Sequence, residues 1–424
     1  MNGFVSLDKI DFENISIDEY WNVGDQKEEL IHKIHNYPAK FPAFITTKAI
    51  DYAKKQGINT NKIADIFCGC GTVALEAKKR GIKFWGCDIN PVATLIAKVK
   101  SGNYDVLLLK RYRETLLEKL KSSNLEYDYS TANERIKYWF YEETFQKLSN
   151  LKTIILDECY INDNYKQFFL CAFSNILKPA SKWLTKSIKP QVDPKKGQKD
   201  IFDLFSKQTE MMISAYEQAE INNKGKVTIE TTSFLRPYLK RPKVDMIVTS
   251  PPYVTSYEYA DLHQLSSLWL DFTKDYRELR QGTIGSVYHI EKSRIEDFKL
   301  NDIAKNIIEE LQPKIEKSKL KSIARYFSDM QKVSKLAFNM LNNHGIALFV
   351  IGNTEYKGTK IDNAKHLAIS LQNAGFKKFH ITKRNITNKF LTPYRDSVGK
   401  FTSNKGSRKI YAEEFIVIGE KICQ

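Results

Sequence analysis

The feature that most constrains the fold of this chain is a glycine turn between a short predicted strand and a segment with helical spacing. The octapeptide Asp65-Ile66-Phe67-Cys68-Gly69-Cys70-Gly71-Thr72 follows residues 61–64, and the helical spacing extends over 73–79. A strand, a Gly-x-Gly turn and a helix in this order bring the backbone close to a nucleotide-like ligand that faces the helix N-terminus. We therefore predict the first unit of a parallel α/β fold here.

A second unit of the same kind follows. The apolar run 82–87 ends at Asp88, about 20 residues beyond the glycine turn, where an acidic side chain can accept hydrogen bonds from both hydroxyls of a ribose. Asn90 is a good N-cap and Pro91 suits a first helical turn, so a helix is predicted to begin at once. The alternative is an ordinary pair of α/β turns without a ligand.

The sequence Thr249-Ser250-Pro251-Pro252-Tyr253 comes directly after the apolar run 244–248. Prolines fix φ and donate no hydrogen bond, so the carbonyls of this segment can be oriented before a substrate arrives. The Ser250 hydroxyl and a backbone carbonyl could accept both hydrogens of an exocyclic amine, and Tyr253 could stack on the ring that carries it. The pattern predicts chemistry on a nucleobase that has left the duplex stack. The alternative is a Pro-Pro turn that only ends a strand.

These residues resemble those of the S-adenosylmethionine-dependent DNA amino methyltransferases. Ser-Pro-Pro-Tyr looks like the version typical of the cytosine-N4 enzymes, and the family's glycine turn has the form Asp-Pro-Phe-x-Gly-x-Gly-Thr. This chain departs from that form only at Ile66, which replaces the proline. The segment His35-Asn36-Tyr37-Pro38-Ala39-Lys40-Phe41-Pro42 looks like the one that holds the methionine end of the cofactor. The resemblance covers roughly residues 30–100 and 226–420.

The resemblance implies S-adenosylmethionine as the cofactor and double-stranded DNA as the partner. Asp88 would contact the ribose and Ile89 the adenine, whereas His35 and Tyr37 could instead pack or cap a turn. The implied catalytic residues are Ser250, Pro251, Pro252 and Tyr253. The implied cofactor-binding residues are Tyr37, Lys40, Phe41, Pro42, Asp65, Phe67, Gly69, Gly71, Thr72, Asp88, Ile89 and Thr249.

The predicted fold class is α/β, a Rossmann-like seven-stranded methyltransferase sheet whose helical insertions form a DNA-recognition lobe. The last strand is expected to be antiparallel, as in the resembled family. The predicted strands are 62–67, 83–87, 227–229, 244–249, 346–351, 378–383 and 412–419. The predicted core helices are 43–55, 73–80, 91–100, 319–342 and 362–374.

Five segments follow from this order of elements. Residues 1–100 and 319–424 are the cofactor-binding and C-terminal parts of the core, and 226–253 holds core strands with the catalytic motif. Residues 101–225 form a mostly helical insertion and are the first candidate for target recognition, with the insertion 254–318 close behind. Aromatic residues at helical spacing in 101–225 are predicted to be core rather than base-stacking platforms.

Charge favours a polyanionic partner. Sixty-six Lys and Arg residues oppose 50 Asp and Glu residues, which gives a formal net charge of +16. Ten basic residues and one acid lie between Lys377 and Lys409, and a second basic cluster spans 178–199. The alternative for both clusters is a solvated surface. The candidate DNA-binding residues are Lys195, Lys196, Arg384, Lys389, Arg395, Lys400, Lys405 and Arg408.

Other features narrow the class of protein. The six cysteines are scattered, which disfavours a metal site or a disulfide framework. No signal segment and no long apolar run is visible, so we expect a cytoplasmic protein without a membrane partner.

The expected reaction is direct SN2 transfer of a methyl group to an exocyclic amine. No Pro-Cys dipeptide is present, which disfavours a carbon-5 cytosine methyltransferase. Two alternatives stay open. One changes the substrate to adenine N6, or to RNA or protein, and the other is a non-catalytic nucleic-acid-binding subunit. By analogy, a companion restriction endonuclease is a further expected partner.

Overall fold

A computed structural model of the 424-residue chain shows the fold. It describes residues 4–24, 27–38, 40–158, 160–219, 221, 224–254, 258–288, 294–386, 394–395, 401–402, 404, 408–409 and 413–422.

A seven-stranded sheet forms the centre of the molecule, with the strand order β3-β2-β1-β4-β5-β12-β8. Neighbouring strands from β3 to β5 pair in parallel, whereas β12 is antiparallel to both β5 and β8. This sheet confirms the predicted seven-stranded Rossmann-like α/β fold, including the antiparallel last strand. The strands are β1 (Lys62–Asp65), β2 (Lys83–Asp88), β3 (Val227–Thr231), β4 (Val244–Thr249), β5 (Leu341–Ile351), β8 (Lys378–Asn385) and β12 (Glu413–Glu420).

Helices cover both faces of the sheet. Successive side chains of a strand point to opposite faces, so Met246 and Val248 of β4 enter one apolar layer and Ile247 the other. The first layer is completed by α1 (Ala43–Lys55) and α2 (Thr72–Lys79). The second is completed by α11 (Asp302–Leu311), α12 (Lys317–Met340) and α13 (Asn363–Ala374). β4 is buried along its whole length, so the centre of the sheet is covered on both faces.

The first insertion is a helical lobe with its own apolar core. Trp139, Phe168 and Phe173 are almost completely buried, which confirms that these aromatic residues are core. The lobe packs on the sheet domain mainly through α7, which contacts α3. The helices of the lobe are α4 (Val106–Ser122), α5 (Glu134–Trp139), α6 (Glu142–Asp157), α7 (Asp163–Ala180) and α8 (Ile201–Gln218), whereas α3 (Pro91–Lys100) belongs to the sheet domain.

The second insertion is tied to this lobe. It begins with α9 (Tyr259–Leu262) and α10 (Gln264–Trp269). The Gln264 side-chain oxygen accepts hydrogen bonds from Trp139 Nε1 at 2.9 Å and Arg135 Nε at 2.6 Å. The helices of both insertions therefore meet beside the carboxyl end of the sheet.

Two small sheets complete the described structure. β6 (Thr354–Tyr356) and β7 (Thr359–Ile361) form a hairpin that the sequence analysis did not predict. β9 (Tyr394–Arg395) pairs with β10 (Phe401–Thr402) and with β11 (Arg408–Lys409) in the basic segment between β8 and β12.

Most predicted strand limits lie within two residues of the observed ones, but the start of β5 was predicted wrongly. β5 begins at Leu341 instead of residue 346, because Asn343-His344-Gly345 is an irregularity within the ladder and not a turn before it. His344 has a φ of +58°, and the register to β4 shifts between Val244 and Met246. A bulge and a turn use the same residue types, so the sequence did not separate them.

The described residues lack two kinds of feature. None of the described helices combines the length and the apolar composition needed to cross a membrane. Within the same ranges, no three His, Cys, Asp or Glu side chains are placed to hold a metal ion.

Candidate active site

The carboxyl ends of β1, β2 and β4 bring the predicted motifs to one edge of the sheet. These strands are parallel neighbours, so the glycine turn, Asp88 and the Thr249–Tyr253 segment follow strand ends that lie side by side. Thr249 Oγ1 donates a 2.6 Å hydrogen bond to Asp65 Oδ1, which also accepts one from the Phe67 amide at 3.1 Å. Asp65 thus joins the glycine turn to the Thr249–Tyr253 segment. Burial raises the pKa of its carboxyl to about 7.

Asp88 closes the glycine turn from the neighbouring strand. Its Oδ2 accepts a hydrogen bond from the Gly69 amide at 2.9 Å, and its Oδ1 accepts one from the Asn90 amide at 2.8 Å. Burial raises the pKa of this carboxyl, and the two amide donors oppose that shift. The structure therefore gives Asp88 a positioning role that the sequence analysis missed.

The two glycines of the turn are required for different reasons. Both have positive φ angles, +46° at Gly69 and +76° at Gly71. A Cβ atom at Gly71 would lie 2.6 Å from the Cβ of Ala97 in α3, whereas one at Gly69 would lie 3.7 Å from the Tyr37 ring. Gly71 thus allows close contact of α2 with α3, whereas Gly69 is favoured by its positive φ, because a Cβ there would make only ordinary contact with Tyr37.

Tyr37 and His35 have different surroundings. The Tyr37 ring stacks on His263 of the second insertion, with ring centres 4.9 Å apart and planes 17° apart. His35 Nε2 lies 3.0 Å from Ser174 Oγ in the helical lobe, and Ser174 donates to Ser266 Oγ at 2.7 Å. His35 therefore packs against the helical lobe, while Tyr37 lies beside the glycine turn. His263 was not predicted, because no sequence spacing connects it to this turn.

The segment before α1 is held by contacts of its own. Lys40 Nζ forms an ion pair with Glu28 at 2.7 Å and donates to the His32 carbonyl at 2.9 Å. Phe41 packs against the first apolar layer, and Pro42 is the N-cap of α1. Contact of these residues with the cofactor stays a prediction.

The Thr249–Tyr253 segment is oriented by two contacts with strands of the sheet. Ser250 Oγ donates a 3.0 Å hydrogen bond to the Val350 carbonyl of β5. A hydroxyl has one hydrogen, so Ser250 Oγ can only accept from a further ligand. The Tyr253 hydroxyl donates to Glu414 Oε1 of β12 at 2.9 Å. A Cβ atom at Gly352 would lie 3.1 Å from the Tyr253 ring, which therefore rests on the backbone there.

Arg384 has a structural role instead of the predicted contact with DNA. It is 4% exposed, and its Nε donates to Glu414 Oε2 at 3.0 Å, with a second bond from Nη2 to the same oxygen. A buried guanidinium requires a carboxylate partner, and Glu414 supplies it. The prediction of a phosphate contact is wrong for the arrangement seen here, because the cation is covered by protein.

The other predicted DNA-binding residues fall into three groups. Lys195 is exposed, and Lys196 Nζ donates to the Trp183 and Lys178 carbonyls at 2.7 and 2.9 Å. Burial lowers the pKa of Lys196 to about 8. The remaining candidates are not described at the level of side chains: Arg395 and Arg408 lie on β9 and β11, and Lys389, Lys400 and Lys405 lie outside the described residues.

Comparisons with known proteins agree with this geometry. Residues 6–99 match the model of the N6/N4 methyltransferase family, described as DNA methylase. The Type II methyltransferase M.MvaI of Kocuria varians is 25% identical over 360 residues, which is 78% of each chain. The Type II methyltransferase M.MjaII of Methanocaldococcus jannaschii is 35% identical over 103 residues, 24% of this chain and 19% of that one. Together these similarities support a DNA amino methyltransferase.

Solved structures give weaker similarities. The rRNA methyltransferase aviRa of Streptomyces viridochromogenes has a TM-score of 0.30 at 9% identity, with 92% of this chain and 89% of that chain covered. An S-adenosylmethionine-dependent methyltransferase of Clostridium acetobutylicum has a TM-score of 0.28 at 7% identity, with 89% and 90% covered. The methyltransferase fold of this chain therefore rests on its own sheet order.

S-adenosylmethionine is the methyl donor that this family uses, and the residues at the sheet edge fit it. Thr72 Oγ1, at the start of α2, is buried without a hydrogen-bond partner among the described residues. Ile89 is half-buried, and a Cβ atom at Gly282 of the second insertion would lie 3.3 Å from its side chain. Asp88 and Ile89 would hold the nucleoside, since they offer a carboxylate and an apolar wall, and the glycine turn would hold the amino acid part of the cofactor.

Proposed function

We propose that this chain is a site-specific DNA methyltransferase that acts on the exocyclic N4 amine of a flipped cytosine in double-stranded DNA. The observation that carries the proposal is the position of Ser250. The Ser250 hydroxyl donates its hydrogen to the Val350 carbonyl at 3.0 Å. Ser250 directly follows Thr249, whose side chain is hydrogen-bonded to Asp65 at the start of the glycine turn. An acceptor beside a cofactor turn is what methylation of an amine requires.

The chemistry follows from the electronic structure of the amine. Bound S-adenosylmethionine supplies an electrophilic methyl group on a positively charged sulfur. The amine lone pair is delocalised into the base, so acceptors for its two hydrogens are needed to turn the nitrogen toward sp³ geometry. Ser250 Oγ is the first acceptor, and the carbonyl of Ser250 or Pro251 is the second. These hydrogen bonds strengthen as the nitrogen becomes cationic, and the methylated nitrogen then releases a proton to solvent.

Tyr253 supplies the stacking face for the base. Its ring has the Gly352 backbone behind it, and its hydroxyl is fixed by Glu414. A ring held from behind and at its tip loses little conformational freedom when a base stacks on it. Pro251 and Pro252 restrict the backbone that carries it.

Several observations favour duplex DNA as the substrate and the cytosine amine as the target. The formal charge of +16 suits a polyanion. The matched relatives are named Type II methyltransferases, which fits site-specific action and pairing with a restriction endonuclease. The helical lobe formed by α4–α8 is our candidate for target recognition, because it meets the second insertion beside this edge. Ser-Pro-Pro-Tyr is the form typical of cytosine-N4 enzymes.

The experiment is methylation of duplex DNA of mixed sequence, followed by digestion to nucleosides and mass spectrometry. We expect N4-methylcytosine. N6-methyladenine would keep the reaction class and overturn the choice of base. An absence of methylated nucleosides, together with failure to bind S-adenosylmethionine in calorimetry, would instead indicate a non-catalytic DNA-binding subunit.

A further inference from the structure

Three lysines lie side by side at the amino-terminal edge of the sheet, opposite the candidate active site. Lys62 and Lys83 are the first residues of β1 and β2 and pair directly in register. Lys226 immediately precedes β3, and its carbonyl accepts the Phe84 amide at 2.9 Å. Phe84 pairs with Val227, so Lys226 is the register neighbour of Lys83. The three side chains therefore project from one row across three adjacent strands.

Such a row is electrostatically unfavourable without a counter-ion. Neighbouring strands are about 4.8 Å apart, and like charges directly opposite each other are destabilising. Within the described part of the chain, none of the three ammonium groups forms an ion pair. Lys83 and Lys226 are exposed and Lys62 is half-buried. A ligand with several negative charges would relieve this repulsion.

The row borders a cavity of about 320 Å³. Lys240, before β4, adds a fourth ammonium group to its lining, and Trp85 adds an aromatic ring. Glu230 is the one acid of this lining, and its Oε1 accepts the Trp85 indole N–H at 2.9 Å. Four cations against one carboxylate leave a net positive site, and its volume lies in the range of small-molecule pockets.

We propose that this cavity binds a small polyphosphate anion, such as the triphosphate of a nucleotide. Its concave shape favours a compact ligand over the convex backbone of a duplex, and it lies at the sheet edge opposite Ser250 and Asp88. Lys62, Lys83 and Lys226 contact the phosphates, and Lys240 closes the site. This site is separate from the proposed methyl transfer and does not depend on it.

The test is calorimetric titration of the full chain with inorganic triphosphate at low ionic strength, without DNA or S-adenosylmethionine. The cavity variant is Lys62→Gln/Lys83→Gln/Lys226→Gln. The control is Lys54→Gln/Lys98→Gln/Lys335→Gln, which removes the same charge from exposed helix positions outside the cavity. Thermal unfolding checks the fold, and the cavity variant should be no less stable than the wild type because repulsion is removed.

We expect the cavity variant to bind triphosphate at least about tenfold more weakly than the control, a difference of about 1.4 kcal/mol. The same variant should bind duplex DNA as the control does. Equal weakening of triphosphate binding in both variants would overturn the proposal in favour of general charge attraction. Loss of duplex binding in the cavity variant, with triphosphate binding unchanged, would overturn it in favour of a DNA contact.

Discussion

The hydroxyl of Tyr253 donates a 2.9 Å hydrogen bond to Oε1 of Glu414, which links the segment after β4 to the antiparallel strand β12. The other oxygen of Glu414 accepts from Arg384 Nε at 3.0 Å. The orientation of the stacking ring thus depends on a buried ion pair between the last two strands of the fold. Substitutions in the ion pair and at Tyr253 can therefore measure its contribution to stability and to methyl transfer.

Glu414→Ala should lower the free energy of unfolding by about 3–5 kcal/mol, because it leaves the buried Arg384 cation without a partner. The neighbouring pair Lys383 and Glu413, at 3.5 Å, is more exposed and supplies the control. Glu413→Ala should cost about 0–1 kcal/mol. Urea unfolding of both variants measures the difference, and equal losses would contradict the structural role of Arg384.

Tyr253→Phe keeps the ring and removes its hydrogen bond to Glu414. We expect methyl transfer to fall by about tenfold in kcat/KM, a loss of about 1.4 kcal/mol, while S-adenosylmethionine binds as before. Tyr238→Phe, at a fully exposed tyrosine, is the control. Unchanged kcat/KM in Tyr253→Phe would show that Glu414 does not orient the ring for catalysis.

Ser250→Ala should reduce turnover by about 100-fold or more, because an acceptor for the amine hydrogens is lost from the transition state. Binding of DNA and of S-adenosylmethionine should change little, since the hydroxyl bonds to Val350 and not to the glycine turn. Single-turnover kinetics and calorimetry separate these effects. Ser122→Ala, at an exposed position at the end of α4, is the matched control.

Asp65 should make stability fall as pH rises. Burial raises its pKa from 3.8 to about 7, so the folded protein binds the proton more tightly than the unfolded chain does. The stabilisation is complete below about pH 4 and is lost as the pH rises through about 7, with a slope that approaches 1.4 kcal/mol per pH unit at about pH 5–6.

Asp65→Asn removes this titration, and the amide oxygen can still accept from Thr249 and Phe67. Urea unfolding at pH 5 and at pH 8 should therefore show the variant gaining stability relative to the wild type at the higher pH. Parallel pH profiles for the two proteins would show that Asp65 does not carry a raised pKa.

Gly71→Ala should destabilise the fold more than backbone strain alone explains. Gly71 has a φ of +76°, and an added Cβ would lie 2.6 Å from that of Ala97. Gly57 has a φ of +72° with nothing within 4 Å of an added Cβ, so Gly57→Ala isolates the cost of the dihedral angle. That cost should be about 1–2 kcal/mol, and Gly71→Ala should exceed it. If thermal or urea unfolding shows the same loss of unfolding free energy for Gly71→Ala and Gly57→Ala, α2 and α3 can separate at no cost.

Much of the fold could be predicted from the sequence because each motif lies at a strand end. The helix 91–100 and the strand 244–249 were predicted with the observed limits, since Asn90 and Pro91 start the one and Pro251 ends the other. The strand β5 was predicted to begin late, because a bulge at His344 resembles a turn in composition.

Contacts between distant segments could not be predicted in the same way. Arg384 was predicted to contact DNA because it stands in a basic run, but a side chain at that register of β8 faces Glu414 of β12. The stacking of Tyr37 on His263 joins residues of two segments that no spacing connects. The row of Lys62, Lys83 and Lys226 likewise depends on strand register, which composition does not encode.

The most direct test of the account is methylation of duplex DNA with a donor that carries a trideuteromethyl group, followed by mass spectrometry of the nucleosides. We expect trideuteromethyl at N4 of cytosine with the wild-type protein, and a strong reduction with Ser250→Ala. Label on adenine N6, on carbon 5 of cytosine, or equal label with Ser250→Ala would contradict it.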